Sequence, residues 1–130
     1  MGVVVFDSDV LIGFLSARDA HHADAVELVR SSFEPGTRRL LNAVNYSEIS
    51  IGPLRAGTQE RVDAMLTKLG IEIVAVDSAL AQRAAAVRAD TGISLPDAYA
   101  VATADHAERR GWGEVRVASF DKRVQRARPS

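Results

Sequence analysis

Four carboxylate side chains stand after predicted strands or in predicted helices, where they could form a catalytic or metal-binding site. Asp7 directly follows the apolar run 3–6, and Asp121 follows a second apolar run near the end of the chain. Glu48 lies in a helical stretch flanked by apolar residues, and Asp97 lies in the first turn of a predicted helix. If folding brings these acids together, cations must offset their repulsion. Oxygen ligands without His or Cys favour magnesium or manganese, which can activate water and stabilise charge on a phosphodiester.

Each of these acids also has a purely structural alternative. Asp7 and Asp121 could cap the helices that follow them. Glu48 could be a solvated charge on a helix face. Ser94 and Asp97 have the spacing of a capping box. No two of the acids stand at chelating spacing along the chain, so a metal site requires tertiary folding to assemble it.

The sequence lacks the motifs that other common reaction chemistries require. There is no G-x-x-x-x-G-K-S/T phosphate loop, no G-x-G-x-x-G after a strand and no G-x-S-x-G nucleophile elbow. The chain has no cysteine, which excludes thiol nucleophiles, disulfides and Cys-type zinc sites. Its three histidines have neither zinc-ligand spacing nor a Ser-His-Asp arrangement. Carboxylate chemistry therefore remains as the expectation.

The composition indicates one ordinary domain, which we expect to span 1–130. The chain has 130 residues, 47% hydrophobic and 25% charged, with no internal repeat or linker. No apolar run approaches the roughly 20 residues that cross a bilayer, and no export signal is recognisable. The lack of cysteine also fits a reducing compartment. We therefore expect a cytoplasmic protein.

Apolar periodicity predicts alternating strands and helices. The predicted strands cover 3–6, 39–41, 71–76 and 115–119. The predicted helices cover 10–17, 19–32, 44–55, 58–69, 78–90 and 94–110, with a short last helix capped by Asp121. This alternation predicts an α/β sandwich around a mostly parallel sheet. Ligands of such sheets bind beyond the carboxyl ends of the strands, where Asp7 and Asp121 are expected to lie.

Four segments, taken in order, resemble the PIN-domain family and, within it, the VapC toxins of bacterial toxin–antitoxin pairs. Residues 4–12 read VVFDSDVLI and residues 45–48 read NYSE. Residues 92–98 read GISLPDA and residues 117–121 read VASFD. The first and third segments are fairly specific in combination, and the resemblance covers nearly the whole chain. It implies a three-layer α/β/α sandwich with a central, mostly parallel sheet.

The resemblance also implies an activity, a cofactor and a set of site residues. A VapC-like protein is a magnesium-dependent endoribonuclease in which metal-activated water attacks an RNA phosphodiester, leaving a 5′-phosphate and a 3′-hydroxyl. Manganese is a possible substitute for magnesium. The hydroxyl of Ser119 would orient the site. The implied catalytic and metal-binding acids are Asp7, Glu48, Asp97 and Asp121.

The partners of this protein are likewise implied by the resemblance. VapC-like toxins are usually homodimers, and a cognate VapB-like antitoxin holds them inactive. The tail of that antitoxin occupies the acidic site, often with an arginine. The other expected partner is the RNA substrate, and no membrane is expected.

Asp9 departs from the family pattern, which usually has a neutral Asn or Ser at this position. The extra charge could tighten metal binding or make Asp9 a ligand. The third alternative, that Asp9 points away and caps the first helix, is the one that the local sequence slightly favours.

The formal net charge of −1 conceals an uneven distribution. Residues 1–108 hold nine basic and fifteen acidic side chains, whereas residues 109–130 hold seven basic and two acidic ones. A basic C-terminal segment beside an acidic site could hold an RNA backbone. The alternative is that these arginines are solvated or cap helix ends.

Two other functions stay open at this point. A PIN-like module could bind RNA or a protein without cleaving. Residues 7–10 read DSDV, and with their preceding strand they also resemble the opening D-x-D-x-T/V motif of haloacid-dehalogenase-type phosphatases. Those enzymes need a downstream lysine and a late acidic pair, and neither Lys68 nor Lys122 stands at a convincing position.

Overall fold

The computed structural model describes residues 2–128 of the chain. The single domain predicted over 1–130 therefore includes residues 1, 129 and 130, which lie outside this range. Residues 2–128 contain four strands: β1 (Gly2–Phe6), β2 (Thr37–Asn42), β3 (Ile71–Val74) and β4 (Glu114–Ala118). Seven helices accompany them: α1 (Ser8–Leu15), α2 (His22–Ser31), α3 (Ala43–Ala56), α4 (Gln59–Lys68), α5 (Ser78–Thr91), α6 (Leu95–Arg109) and α7 (Lys122–Ala127). None of these helices is long and apolar enough to cross a membrane.

The strands form one parallel sheet in the order β3-β2-β1-β4. Strand β1 is central, and its Val5 is level with Leu40 of β2 and Val117 of β4. A central strand covered on both faces must be apolar at every position, which the run 3–6 provides. The carboxyl ends of β1 and β4 lie side by side, so the residues that follow them meet at one edge of the sheet.

Helices cover both faces of the sheet. Val4 and Phe6 point into a core built with α1, α2, α3 and α4. Val3 and Val5 point to the opposite face, where they meet α6. That face of α6 carries alanines, whose small side chains allow the helix to lie close to the sheet; they are Ala100, Ala104 and Ala107. Helices α5 and α7 pack against α6, completing the predicted α/β/α sandwich.

Side-chain hydrogen bonds move two predicted helix starts. Helix α1 begins at Ser8 rather than at residue 10, because the Asp7 carboxylate accepts the Ser8 N–H and so acts as the N-cap. Helix α2 begins at His22 rather than at residue 19, because the Asp19 carboxylate accepts the His21 N–H and closes a turn first. The Asp7 cap thus lets α1 start earlier, whereas the Asp19 contact competes with the helix and delays α2.

Two strands also differ in length from their predictions by more than one residue. Strand β2 covers six residues instead of the three predicted, because it is paired on both sides by β1 and β3. Strand β3 is an edge strand and ends at Val74 rather than at residue 76. Cross-strand pairing, which a local pattern does not contain, sets both ends.

Candidate active site

Asp7 is the centre of the candidate site and is almost fully buried, with 1% of its surface exposed. It follows the last residue of β1, and its N–H donates to the carbonyl of Ala118 at the end of β4 (2.9 Å). Its Oδ1 accepts the N–H of Ser8 (2.9 Å), and its Oδ2 accepts the hydroxyl of Ser119 (2.8 Å). The two strand ends thus hold this carboxylate in one orientation.

The pKa of Asp7 is raised to about 7, and burial is the largest cause. The neighbouring carboxylates of Asp9 and Asp97 also contribute to the increase, whereas the hydrogen bonds from Ser119 and Ser8 lower the pKa. Two hydrogen bonds therefore do not compensate for desolvation and repulsion. A cation beside Asp7 would favour its charged form, so this carboxylate has the electrostatic properties of a cation ligand.

Ser119 joins Asp7 to the segment between β4 and α7. Its buried hydroxyl donates to Asp7 and accepts the N–H of Asp121 (3.0 Å). The Asp121 carboxylate in turn accepts the N–H of Arg123 (2.8 Å) and caps α7. Asp121 therefore has the predicted capping role, and Ser119 also determines where that aspartate lies relative to Asp7.

Asp9 points into the site, so the alternative in which it points away and caps α1 is wrong. Its Oδ2 accepts the N–H of Phe120 (3.0 Å) and lies 3.5 Å from the Ser119 hydroxyl. Its Oδ1 is buried and accepts no hydrogen bond from any of residues 2–128. Burial raises the pKa of Asp9, and Asp97 and Asp121 raise it further, while the Phe120 N–H lowers it. Asp9 is thus a fifth carboxylate in the same region.

Glu48 reaches the site through two polar neighbours. The Ser8 hydroxyl donates to Glu48 Oε1 (2.7 Å), which places this side chain of α3 beside the first turn of α1. The Asn45 amide lies one helical turn earlier and contacts the same oxygen at 3.4 Å. Asn45 also donates to the carbonyl of Pro96 (3.0 Å), which ties α3 to the first turn of α6.

Asp97 lies in that first turn of α6. Its N–H donates to the Ser94 hydroxyl (3.3 Å), so the predicted capping contact is formed by the backbone. Its half-buried carboxylate accepts no hydrogen bond from the part of the chain that the structure describes, and it raises the pKa values of both Asp7 and Asp9. The cap and a role in the site are therefore compatible, because they use different atoms.

The acids approach one another without forming a closed chelate. Within residues 2–128, no three His, Cys, Asp or Glu side chains lie close enough together to hold an ion in their present rotamers. The donor chemistry fits magnesium all the same, since every acid offers hard oxygen ligands and Asp9 Oδ1 is a buried acceptor without a donor. The residues that could hold the ion are Asp7, Asp9, Glu48, Asp97 and Asp121.

Ser8 and Asn45 were missed as site residues by the sequence reasoning. Asn45 is fully buried and stands three residues before Glu48, so the two share a helix face. Ser8 follows Asp7 and has a hydroxyl, but nothing in the sequence pairs it with an acid 40 positions away. The spacing of Asn45 and Glu48 was the one signal available.

Two arginines of the basic C-terminal segment, Arg116 and Arg128, lie away from the acids. Arg116 donates to the carbonyl of Ser31, and Arg128 pairs with Asp105 and Glu108 near the end of α6. Arg116 and Arg128 line a cleft at the amino ends of β1 and β4, opposite the acids. Lys122 and Arg123, at the start of α7, directly follow Asp121.

A family model described as "PIN domain" matches residues 4–128, which is nearly the whole chain. Among curated protein sequences, none matches this chain significantly.

Several solved structures share the fold at low sequence identity. A toxin–antitoxin complex from Klebsiella pneumoniae is 20% identical with a TM-score of 0.75, covering 97% of this chain and 92% of that chain. Mycobacterium tuberculosis VapC20, described as a sarcin-ricin loop cleaving toxin, is 19% identical with a TM-score of 0.71, covering 96% and 95%. VapBC-1 from nontypeable Haemophilus influenzae is 13% identical with a TM-score of 0.63, covering 96% and 91%.

Proposed function

The chain belongs to the PIN-domain family, and from this premise we propose that it is a magnesium-dependent endoribonuclease, the toxin of a VapBC-like type II toxin–antitoxin pair. The solved structures that share its fold include a toxin described as cleaving the sarcin-ricin loop and complexes of toxins with antitoxins. The family favours this function over the haloacid-dehalogenase-type phosphatase. Such a toxin would act in the cytoplasm, on cellular RNA.

One observation carries the proposal, namely the buried carboxylate of Asp7 with the carboxylates of Asp9 and Asp97 close to it. Asp7 lies at the carboxyl end of the central strand, where α/β folds bind ligands. Its raised pKa reports both burial and the proximity of Asp9 and Asp97. Such an arrangement destabilises the folded protein unless a cation or another positive group offsets it, which is typical of a functional site.

The proposed roles follow from the residues present. Asp7, Glu48, Asp97 and Asp121 would hold the ion. Bound magnesium supplies Lewis acidity, which activates water and stabilises the charge of a phosphodiester undergoing in-line displacement. A carboxylate of the site that is not needed as a ligand would accept the proton of the attacking water. No protein nucleophile is required.

Ser119 would act as a positioning residue in this mechanism. Its single hydroxyl proton goes to Asp7, and its lone pairs accept the N–H of Asp121. Two of the proposed ligands, supplied by the ends of β1 and β4, are therefore oriented by one side chain. Asn45 and Ser8 would position Glu48 in the same manner.

The proposed partners are a cognate antitoxin and a second copy of the chain. Complexes of toxin with antitoxin among the structures that share the fold support the first of these. The acidic site would suit a basic antitoxin residue, because an arginine could offset the same repulsion that a metal ion does.

The test compares purified wild-type protein with Asp97→Asn on single-stranded RNA, with magnesium and with a chelator. We expect cleavage by the wild-type protein that needs magnesium, and a loss of at least 100-fold in the variant, whose unfolding temperature should stay close to that of the wild type. Full magnesium-dependent cleavage by Asp97→Asn would refute the assignment. Titration calorimetry with manganese separates a nuclease from a non-cleaving module. In a nuclease, substitution of these acids should reduce manganese binding, whereas a non-cleaving module should show no such dependence.

A further inference from the structure

A small cavity lies between α7 and the turn that joins α5 to α6. Its volume is about 230 Å³, and it is lined by Thr91, Ile93, Arg123, Arg126 and Ala127. We call this cavity the arginine pocket. Two of its five lining residues are cations and none is an acid, so its interior is positively charged.

The arginine pocket is attached to two of the proposed metal ligands. Arg123 stands two residues after Asp121, and its N–H donates to that carboxylate (2.8 Å). Its guanidinium donates to the carbonyl of Gly92 (2.8 Å), in the turn that leads into α6 and Asp97. Arg123 therefore bridges the segment that carries Asp121 and the segment that carries Asp97.

The positive charge of this pocket is not neutralised by the protein. Neither Arg123 nor Arg126 has a carboxylate within ion-pair distance among residues 2–128, whereas Arg38 and Arg128 both do. Arg88 adds a third cation beside the pocket, where its guanidinium donates to the carbonyl of Ile93 (2.6 Å). Guanidinium groups that have no carboxylate partner are well suited to phosphate, which they bind through two parallel hydrogen bonds.

A second cleft, larger than the arginine pocket, has a different character. It measures about 590 Å³ and lies at the amino ends of β1 and β4, away from the acids. Glu34, Glu108 and Glu114 are among its lining residues, and its Arg128 is already paired. Its three acids outnumber its two cations, Arg116 and Arg128, so this cleft is less suited to a polyanion than the arginine pocket.

We propose that the arginine pocket binds a backbone phosphate of the RNA, next to the phosphate that is cleaved. This inference rests on the proposed function, because it assumes that a phosphodiester reaches the carboxylates. Five clustered acids repel a polyanion, and unpaired cations at their border would offset that repulsion and hold the strand across the site. The segments that carry Asp97 and Asp121 border both the arginine pocket and the acidic site. One RNA strand could therefore occupy both.

The test measures binding of a labelled single-stranded RNA by fluorescence anisotropy in an Asp97→Asn background, which prevents cleavage. We expect Arg126→Gln to weaken binding about 10-fold at roughly 0.1 M salt. The negative slope of log K against log salt should become shallower by about 1. Arg126→Lys should recover part of the affinity, since it restores the charge without the guanidinium fork. Arg116→Gln, which removes a cation from the opposite end of the sheet, is the matched control and should bind as the parent does.

Arg126 is the first choice for substitution because it is exposed and makes no hydrogen bond within residues 2–128. Arg123→Gln removes the contact with Gly92 as well, so its unfolding temperature is measured alongside. Unchanged RNA affinity in both variants would overturn the phosphate site and point to another anion, such as an acidic segment of a protein partner, while cleavage by the wild type would leave the nuclease assignment standing. Failure of the Asp97→Asn parent to bind any RNA, together with failure of the wild type to cleave it, would overturn the proposed function itself.

Discussion

The Ser119 hydroxyl donates to the buried carboxylate of Asp7 at 2.8 Å, across 112 positions of the chain. The same oxygen accepts the N–H of Asp121. The two strands that these residues follow are neighbours in the sheet, which is why residues so distant in sequence meet. The contact couples the orientation of one proposed metal ligand to that of another.

Removing this hydroxyl should disturb the site more than the fold. Ser119→Ala leaves Asp7 Oδ2 without its donor, and a buried unpaired acceptor costs about 1–3 kcal/mol of stability. We expect manganese affinity and RNA cleavage to fall at least 10-fold. Ser119→Thr retains the hydroxyl and should keep most of the metal affinity. Calorimetric titration checks this expectation, and unchanged affinity in Ser119→Ala would contradict the positioning role.

The stability of the metal-free protein should fall as the pH rises from about 4 to 7. The pKa of Asp7 is about 7 in the folded protein and near 3.8 when unfolded, so the folded state binds more protons throughout this interval. The stability loss is on the order of 4 kcal/mol, at about 1.4 kcal/mol for each unit of pKa difference. Asp9 has a pKa shifted in the same direction and adds to the loss.

Urea unfolding at several pH values with a chelator present measures this dependence. Asp7→Asn should remove most of the slope and should make the protein more stable at neutral pH than the wild type. Asp90→Asn, a substitution on an exposed face of α5, is the control and should leave the slope unchanged. A wild-type protein whose stability rises with pH over this interval would show that Asp7 is not destabilised by its surroundings.

Divalent cations should raise the unfolding temperature of the wild-type protein at neutral pH. A ligand that binds only the folded state stabilises it by about 2.7 kcal/mol at 100 times its Kd. Asp7→Asn and Asp97→Asn should respond far less, because each lacks a proposed ligand charge. Thermal unfolding with and without manganese measures the difference, and calcium and magnesium serve as comparison ions. Equal shifts in all three proteins would place the metal elsewhere.

Substitutions of Asp9 should distinguish the effect of its charge from the effect of its hydrogen bond. Asp9→Asn keeps an acceptor for the Phe120 N–H, so its stability should stay within about 1 kcal/mol of the wild type. The loss of charge beside Asp97 and Asp121 should nevertheless weaken manganese binding several-fold. Asp9→Ala loses the acceptor as well and should be less stable than Asp9→Asn. Equal metal affinity in Asp9→Asn and wild type would limit Asp9 to anchoring the segment after β4.

Much of the fold followed from local patterns. The continuous apolar run 3–6 predicted a strand buried on both faces, and β1 is the central strand. Caps and glycines predicted most helix ends; Gly92, for example, ends α5 with a φ of +74°. The predicted starts of α1 and α2 were wrong by two and three residues. The helices begin at Ser8 and His22, because nearby aspartate side chains accept backbone N–H groups and alter the first turn.

The sequence by itself determined which chemistry is available and at which ends of strands and helices its acids stand. It contains no cysteine, no phosphate loop and no nucleophile elbow, and its acids follow strands or open helices. The tertiary structure decided how those acids are held: Ser8 binds Glu48, Ser119 joins Asp7 to Asp121, and Asp9 turns inward to Phe120. It also separated Arg116 and Arg128 from the arginines of α7. The physical reason is that propensity and capping act within a few residues, whereas these contacts depend on strand order and on how the helices pack across the sheet.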